Sequence, residues 1–488
     1  MNSITHDLKG RVWAFATVLI VSGQTPALAA ANDDLATLRG AILELRRDYE
    51  TKVKDLEERL QKAEAESEAA KASAATASEA VAAAQRAEAA AGQAESSAVA
   101  AAQRPNAQNA LNPAVSVILN GTYGAFDNDP TAQITGFAGS GASEILGRGL
   151  SLGESELFFT ANIDPFFRAA MMATLTPENT VSVEEGYFET LSLGNGFTVK
   201  GGRFFSGMGY WNSQHPHAWD FTDASLVQRA FLGNNYGDDG LQLRWVAPLP
   251  FFLQLGAEIG RGKEFAGMSE VERNTNSPDS YAFFAKVGGD IGTSYNWQLG
   301  ASHLRQKTGS EGVPLFDYDD VTGLENRFVG RQRITGADLV VKWAPDGNPL
   351  YNNVRFVAEF YHRELDGDFT FDTTGLNQTD AATASQSGWF VQGVYQFHPY
   401  WRAGLRFDQM YSGTVHLNAN SANLPVPDFD PTRWTVMTDF NPSEFSRIRL
   451  QFSNGRVRQD IATGETLTDN IGYVQYIFSL GAHGAHQF

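Results

Sequence analysis

Basic residues stand at alternate positions in several segments of the chain, each flanked by apolar neighbours. Trp401, Ala403, Leu405 and Phe407 alternate with Arg402, Gly404, Arg406 and Asp408; Ile448, Leu450 and Phe452 alternate with Arg447, Arg449, Gln451 and Ser453. Successive side chains of a strand point to opposite faces, so this pattern sorts charge to one side and hydrocarbon to the other. The polar face so derived carries Arg168, Lys200, Arg244, Lys286, Lys342, Arg355, Arg363, Arg402, Arg406, Arg433, Arg447 and Arg449. Cations along the wall of a water-filled passage attract anions, and rings of Arg or Lys set anion selectivity. Glu156, Glu258, Asp338, Glu359, Asp408 and Asp439 share the same face. Opposed charged walls also suit unselective passage, so anion preference is an expectation with a neutral alternative beside it.

A second group lies in the stretch from Met208 to Phe221, which holds Tyr210, Trp211, His215, His217, Trp219 and Asp220. Aromatic residues at this density call for burial. Either the stretch folds against an enclosing wall or it packs at a subunit interface. His215 and His217 are two apart, and His483 and His486 three apart. Histidine pairs raise the question of zinc. No cysteine supports them, and hydrogen bonding is the commoner role of such pairs in loops, so no metal is expected. Gly201-Gly202 lacks the strand–helix context of a phosphate-binding loop. No Ser/His/Asp set can be assembled, and neither enzymatic activity nor a cofactor is expected.

The elements that must position these residues are strands. The alternation gives about sixteen, near 115–125, 152–163, 166–176, 182–192, 197–205, 238–246, 251–261, 280–290, 294–305, 332–344, 352–364, 387–397, 399–411, 431–441, 444–454 and 469–480. An even number is what bacterial membrane barrels require. Every second connection is tight and rich in turn residues, as in Asp164-Pro165, Gly194-Asn195-Gly196 and His398-Pro399. The others are mostly long and acidic, as in Asp317-Tyr318-Asp319-Asp320 and Asp366-Gly367-Asp368. Short periplasmic turns and long external loops produce that asymmetry. Tyr187, Phe197, Trp245, Trp297, Trp343, Trp389, Tyr400, Trp401 and Trp434 fall near strand ends, as aromatic girdles at two lipid interfaces would. The last strand is followed by a Gly/Ala/His run and a final Phe488. A terminal aromatic after an amphipathic strand resembles the assembly signal of outer-membrane barrels. The expected fold class is therefore an all-β transmembrane barrel.

The chain has 488 residues, no cysteine, a formal net charge of −19 and a mean hydropathy of −0.28. The acidic balance argues against nucleic acid as a partner. Lys9 and Arg11 precede the apolar run Val12 to Val21, and small residues follow Pro26. That is the pattern of a cleaved export signal over residues 1–30. Leu35, Leu38, Ile42, Leu45, Tyr49, Val53, Leu56 and Leu60 then step by threes and fours, the spacing of an α-helical coiled coil. The segment 33–104 reads as a periplasmic coiled coil with an Ala-rich spacer, 105–114 as a linker, and 115–488 as the barrel. A single amphipathic helix cannot bury its own stripe, so the stalk is expected to associate with copies of itself or to touch cell-wall material.

Residues 111–488 resemble the sixteen-stranded porin superfamily, most of all the phosphate-selective porin O/P group, whose members can carry an N-terminal coiled coil. The local resemblance lies in Val199-Lys200-Gly201-Gly202-Arg203-Phe204-Phe205-Ser206-Gly207. It implies that Ser206 to Gly237 is the third external loop, folded inward to narrow the lumen. It also implies an outer-membrane homotrimer passing small hydrophilic solutes, with phosphate-like anions preferred. Two alternatives stay open: a gated, energy-coupled uptake receptor, and a structural barrel tethered to the cell wall by its stalk.

Overall fold

The computed structural model describes residues 113–481, apart from 129–133, 139–145, 177–179, 272–275, 316–323 and 461–462, together with scattered residues between 40 and 71. The export signal, the Ala-rich spacer, the linker up to residue 112, the run Asp317–Asp320 and the tail with Phe488 lie outside the described residues. The chain divides into two units, 1–108 and 109–488. In the first, every described residue between 40 and 71 is helical, with exposed ion pairs Arg46–Glu50 and Lys52–Asp48 at i,i+4 spacing.

The second unit is a closed antiparallel sheet of seventeen strands. They are β1 (Ala114–Phe126), β2 (Gly149–Leu152), β3 (Ser155–Asn162), β4 (Phe167–Leu175), β5 (Val181–Thr190), β6 (Phe197–Phe205), β7 (Gly237–Val246), β8 (Phe252–Gly260), β9 (Ser280–Ile291), β10 (Tyr295–Lys307), β11 (Arg327–Trp343), β12 (Asn353–Phe371), β13 (Gln378–His398), β14 (Trp401–His416), β15 (Thr432–Ser443), β16 (Ser446–Gln459) and β17 (Thr466–Gly481). From β3 onward each strand pairs with its neighbour in sequence, and β1 closes the sheet against β17 with Ser116 opposite Gly481. On its other edge β1 meets both β2 and β3, which are one stave broken at Gly153-Glu154. Sixteen staves result. Closure leaves no unpaired edge, the condition for a sheet surrounded by lipid.

Connections at one end are tight. Between β5 and β6, Gly194, Asn195 and Gly196 all take positive φ, which glycine and asparagine accept most readily. A Cβ on Gly196 would lie 2.0 Å from the carbonyl oxygen of Val246. The other end carries the longer connections 127–148, 206–236, 261–279, 308–326 and 417–431.

The burial pattern is inverted relative to a water-soluble protein. Leu243, Leu299, Phe356, Leu405, Trp434, Leu450, Phe452 and Val474 are exposed, whereas Arg363, Asp408, Arg433, Asp439 and Arg449 are fully buried. Hydrocarbon outside and charge inside is the arrangement that lipid demands. Aromatic residues gather near the short-turn end, where Trp401 meets Phe440 at 4.9 Å and Phe197 stacks on Trp245 at 6.0 Å.

Three expectations need correction. Tyr187 is not in a girdle: it shares the inward face with Glu185 and Glu189, and the Lys200 ammonium sits 4.1 Å from its ring centroid. Asp366-Gly367-Asp368 is not a loop, since Asp366 pairs with Arg331 and Asp368 with Val329 inside β12 and β11. Those strands run on past the apolar band with charged residues on their outward face, which erases the polar/apolar alternation. Gly413, beyond the expected strand 399–411, sits within β14 beside a bulge at Ser385–Ser387, with φ of 61°.

Candidate functional site

The connection between β6 and β7, residues 206–236, leaves its own strands and packs on the opposite wall. Met208, Tyr210, Trp211, Leu226, Val227, Ala230, Phe231 and Leu232 are buried against Ile334, Val340, Val357, Tyr361, Phe390 and Met410 of β11–β14. Burying each large apolar side chain stabilises by roughly 1.5–3 kcal/mol. Within the loop the chain forms about two helical turns, α1 (Leu226–Leu232). Ser225 caps it in a reciprocal box with Gln228, and Gly233 closes it in the left-handed conformation.

A loop buried inside a barrel strands its backbone polar groups away from water, and each needs a partner. The inward face of the wall supplies them. Glu359 accepts hydrogen bonds from the amides of Tyr210 (2.7 Å) and Trp211 (2.8 Å), and Asp408 accepts from the amide of Leu226 (2.9 Å). Glu258 accepts from Ser206 Oγ and the Gly207 amide. Arg363 donates to the carbonyl of Ala230, Arg406 to that of Asp223, Arg433 to that of Ala224, and Arg449 to that of Trp219. So four of the basic residues expected along an open passage, Arg363, Arg406, Arg433 and Arg449, are instead buried behind the loop and hold it. Of the other acidic residues on the same face, Glu156 meets His217 of the loop, Asp439 sits among Arg402, Arg447 and Arg449 of the wall, and Glu189 pairs with Arg168 and Arg244. Asp338 is buried beside Gly300.

Two loop aspartates complete the attachment. Asp220 pairs with Arg355 and with Arg402, the latter at 3.3 Å. Asp223, which the sequence reading missed, pairs with Arg433 (2.6 Å) and Arg406 (2.9 Å) and accepts from Gln451. Burial opposes ionisation of both, but the guanidiniums outweigh it and hold both carboxyls below the usual carboxylate range. On the other side of the loop, His215 Nε2 lies 3.0 Å from Glu185 and its Nδ1 3.6 Å from Glu184, a charge contact beyond hydrogen-bond reach. His217 Nδ1 is 2.7 Å from Glu156, and the two imidazole rings stack. Burial works against the charged form of His215, yet the glutamates prevail and its pKa stands well above the usual imidazole value.

The remaining cations form a different set. Arg168, Lys200, Arg244, Lys286, Lys342, Arg355, Arg402 and Arg447 come from β4, β6, β7, β9, β11, β12, β14 and β16; all but Lys286, which lies at the middle of β9 opposite Gly300, are in the half of the strand nearer the short turns. They keep access to solvent: the side chains of Arg168, Arg447 and Arg355 are 40%, 25% and 24% exposed. Their carboxylate partners are less accessible, with Asp220 at 1%, Asp439 at 0% and Glu189, the partner of Arg168 and Arg244, at 9%. Of the loop residues expected to face a passage, Tyr210, Trp211, His217, Trp219 and Asp220 are buried against the wall, and His215 is nearly so. Among the described residues no group of three or more His, Cys, Asp or Glu could hold a metal ion.

Sixteen closed staves, with hydrocarbon outside, charge inside and a loop packed in the lumen, define a membrane-spanning β-barrel. The chain belongs to the same family as a protein of Aquifex aeolicus (strain VF5) described as an "Uncharacterized protein", to which it is 34% identical over 354 residues, 70% of each chain. No family model matches the sequence. Solved structures with a distant likeness include the outer membrane channel DcaP of Acinetobacter baumannii, 11% identical over 75% of this chain and 96% of that one, with a TM-score of 0.44. OmpT of Vibrio cholerae in its trimer form is 12% identical over 75% and 98%, with a TM-score of 0.46. An anion-selective porin from Comamonas acidovorans is 12% identical over 75% and 98%, with a TM-score of 0.43. The fold stands on its own strand pairing, to which these likenesses add nothing.

Proposed function

We propose that this barrel is an outer-membrane porin that passes small hydrophilic solutes down their gradients and prefers anions of phosphate-like charge. One observation carries the reading. The loop takes up Glu156, Glu258, Glu359 and Asp408 of the inward face together with four of its arginines, while eight lysines and arginines keep access to the lumen, and this supports a positive balance in the charge that a solute meets. Cations exposed to water beside buried carboxylates produce a positive potential in a narrow passage. The segment 206–236 is then the constriction, and its substrate-facing surface is the ring of lysines and arginines toward the short-turn end.

The same proposal includes export by the N-terminal signal, assembly as a homotrimer and a periplasmic helical stalk. Closed cyclic assemblies are usual among oligomers. The helical residues between 40 and 71, with Leu60 exposed, support a stalk that pairs with copies of itself or with the cell wall. Planar-bilayer recording of the purified protein tests the reading. Stable conductance arriving in groups of three steps is the expected result; absence of conductance would refute a channel.

A further inference from the structure

The outward face of β10–β12 is layered. Tyr295 opposes Trp343, Trp297 opposes Val341, Leu299 opposes Leu339 and Ala301 opposes Ala337. Then His303 meets Thr335, and above them Arg305 opposes Arg333 and Lys307 opposes Arg331. These four cations are exposed and outward, since the alternate residues Gln306 and Gln332 are buried in hydrogen bonds to the interior. Directly opposed side chains of an antiparallel pair lie about 5 Å apart at Cβ, and like charges there are destabilising. Two such pairs stack in adjacent rows, which concentrates positive charge at one level of the outward face. Arg333 and Arg331 reach Glu364 and Asp366 of β12 at 3.0 and 3.2 Å, but these pairs are about half exposed and bind weakly.

Their height matters. Ten residues separate Tyr295 from Arg305; at ~3.4 Å per residue and a tilt of ~40° they rise about 26 Å, close to the ~25 Å apolar band of such barrels. The cations therefore begin where hydrocarbon ends, on the side of the long loops. Beside them lies a cavity of 490 Å³ lined by Lys307, Arg331, Asp366, Asp368, Ala381 and Thr383, where the small residues of β13 leave room.

We infer that this cavity binds the phosphorylated headgroup of a membrane lipid whose acyl chains lie along the outward face below it. Phosphate oxygens sit against Lys307 and Arg331 of the cavity, with Arg305 and Arg333 in the adjacent row below, and headgroup hydroxyls donate to Asp366 and Asp368. Charge-assisted bonds from Arg and Lys to phosphate are among the stronger polar contacts. A free anion has no reason to prefer this level of the barrel, whereas a lipid brings its phosphate there. The site does not depend on conduction.

Native mass spectrometry of the detergent-solubilised protein, loaded with a diphosphorylated glucosamine disaccharide lipid (lipid A), tests this. The wild type should retain the lipid. Lys307→Gln/Arg331→Gln should lose at least about tenfold in affinity, while keeping the heat-resistant folded band on a gel. Arg305→Gln/Arg333→Gln should do the same. Dephosphorylated lipid should not be retained, and millimolar inorganic phosphate should not displace the phosphorylated form. Equal retention by wild type and both variants, or of the dephosphorylated lipid, overturns the inference. Displacement by inorganic phosphate would show a free-anion site, and a change of oligomeric state with unchanged lipid retention would show a contact between copies; either result also overturns it.

Discussion

Asp220 is one of the two loop aspartates that attach the loop to the wall, and Arg355 and Arg402 both close on it while it is itself buried. Asp220→Ala leaves two facing guanidiniums without their common partner. Removing one member of a buried ion pair costs about 3–5 kcal/mol, so the variant should unfold at visibly lower temperature in a gel heat-modifiability assay. The loop is also held by groups that titrate in opposite senses. The carboxyl pKa values of Asp220 and Asp223 are lowered in the fold, so their contribution is present above the ordinary value of 3.8 and lost as pH falls below it. That of His215 is raised, so its contribution is full below 6.5 and lost as pH climbs through the raised value. Hydrogen exchange of residues 206–236 should therefore be slowest between about pH 4 and 6.5, after correction for the intrinsic rate. In His215→Gln the alkaline limb should flatten; an unchanged limb would remove His215 from the attachment.

At the scale of the element, α1 is short and depends on its ends. Ser225→Ala removes the capping box and should cost about 1 kcal/mol, read as faster exchange of the Leu226–Leu232 amides with the strands unaffected. Strand positions were largely legible in the sequence: β6 was read at its observed limits, because Phe197 to Phe205 lies between a tight glycine turn and an aromatic loop. The extensions of β11, β12 and β13 were not legible. Arg331, Arg333 and Asp366 face outward above the apolar band, and a strand polar on that face looks like loop. The division of the basic residues was also hidden, since alternation places Arg363 and Lys200 on the same face without showing which lies behind the loop. A usable signal was present, however. Ile334, Val340, Val357, Phe390 and Met410 are apolar residues on the face that should be polar, and they mark where α1 packs.

For the molecule as a whole, lipid on one side and the lumen on the other make the two faces unequal in what they tolerate. Leu339→Arg, in the middle of the outward apolar rows, should destabilise insertion by about 2–4 kcal/mol, measured by refolding into vesicles. An equal tolerance for arginine there would contradict a lipid-facing exterior. The central claim is that the accessible lumenal charge is positive because the loop takes up Glu156, Glu258, Glu359 and Asp408, and its most direct test is the zero-current potential across a bilayer under a KCl gradient. The wild type should show a chloride-selective potential, and Lys200→Gln/Lys286→Gln/Lys342→Gln should move it toward zero with the conductance retained. A wild type that selects potassium, or a triple variant with an unchanged potential, would contradict the account.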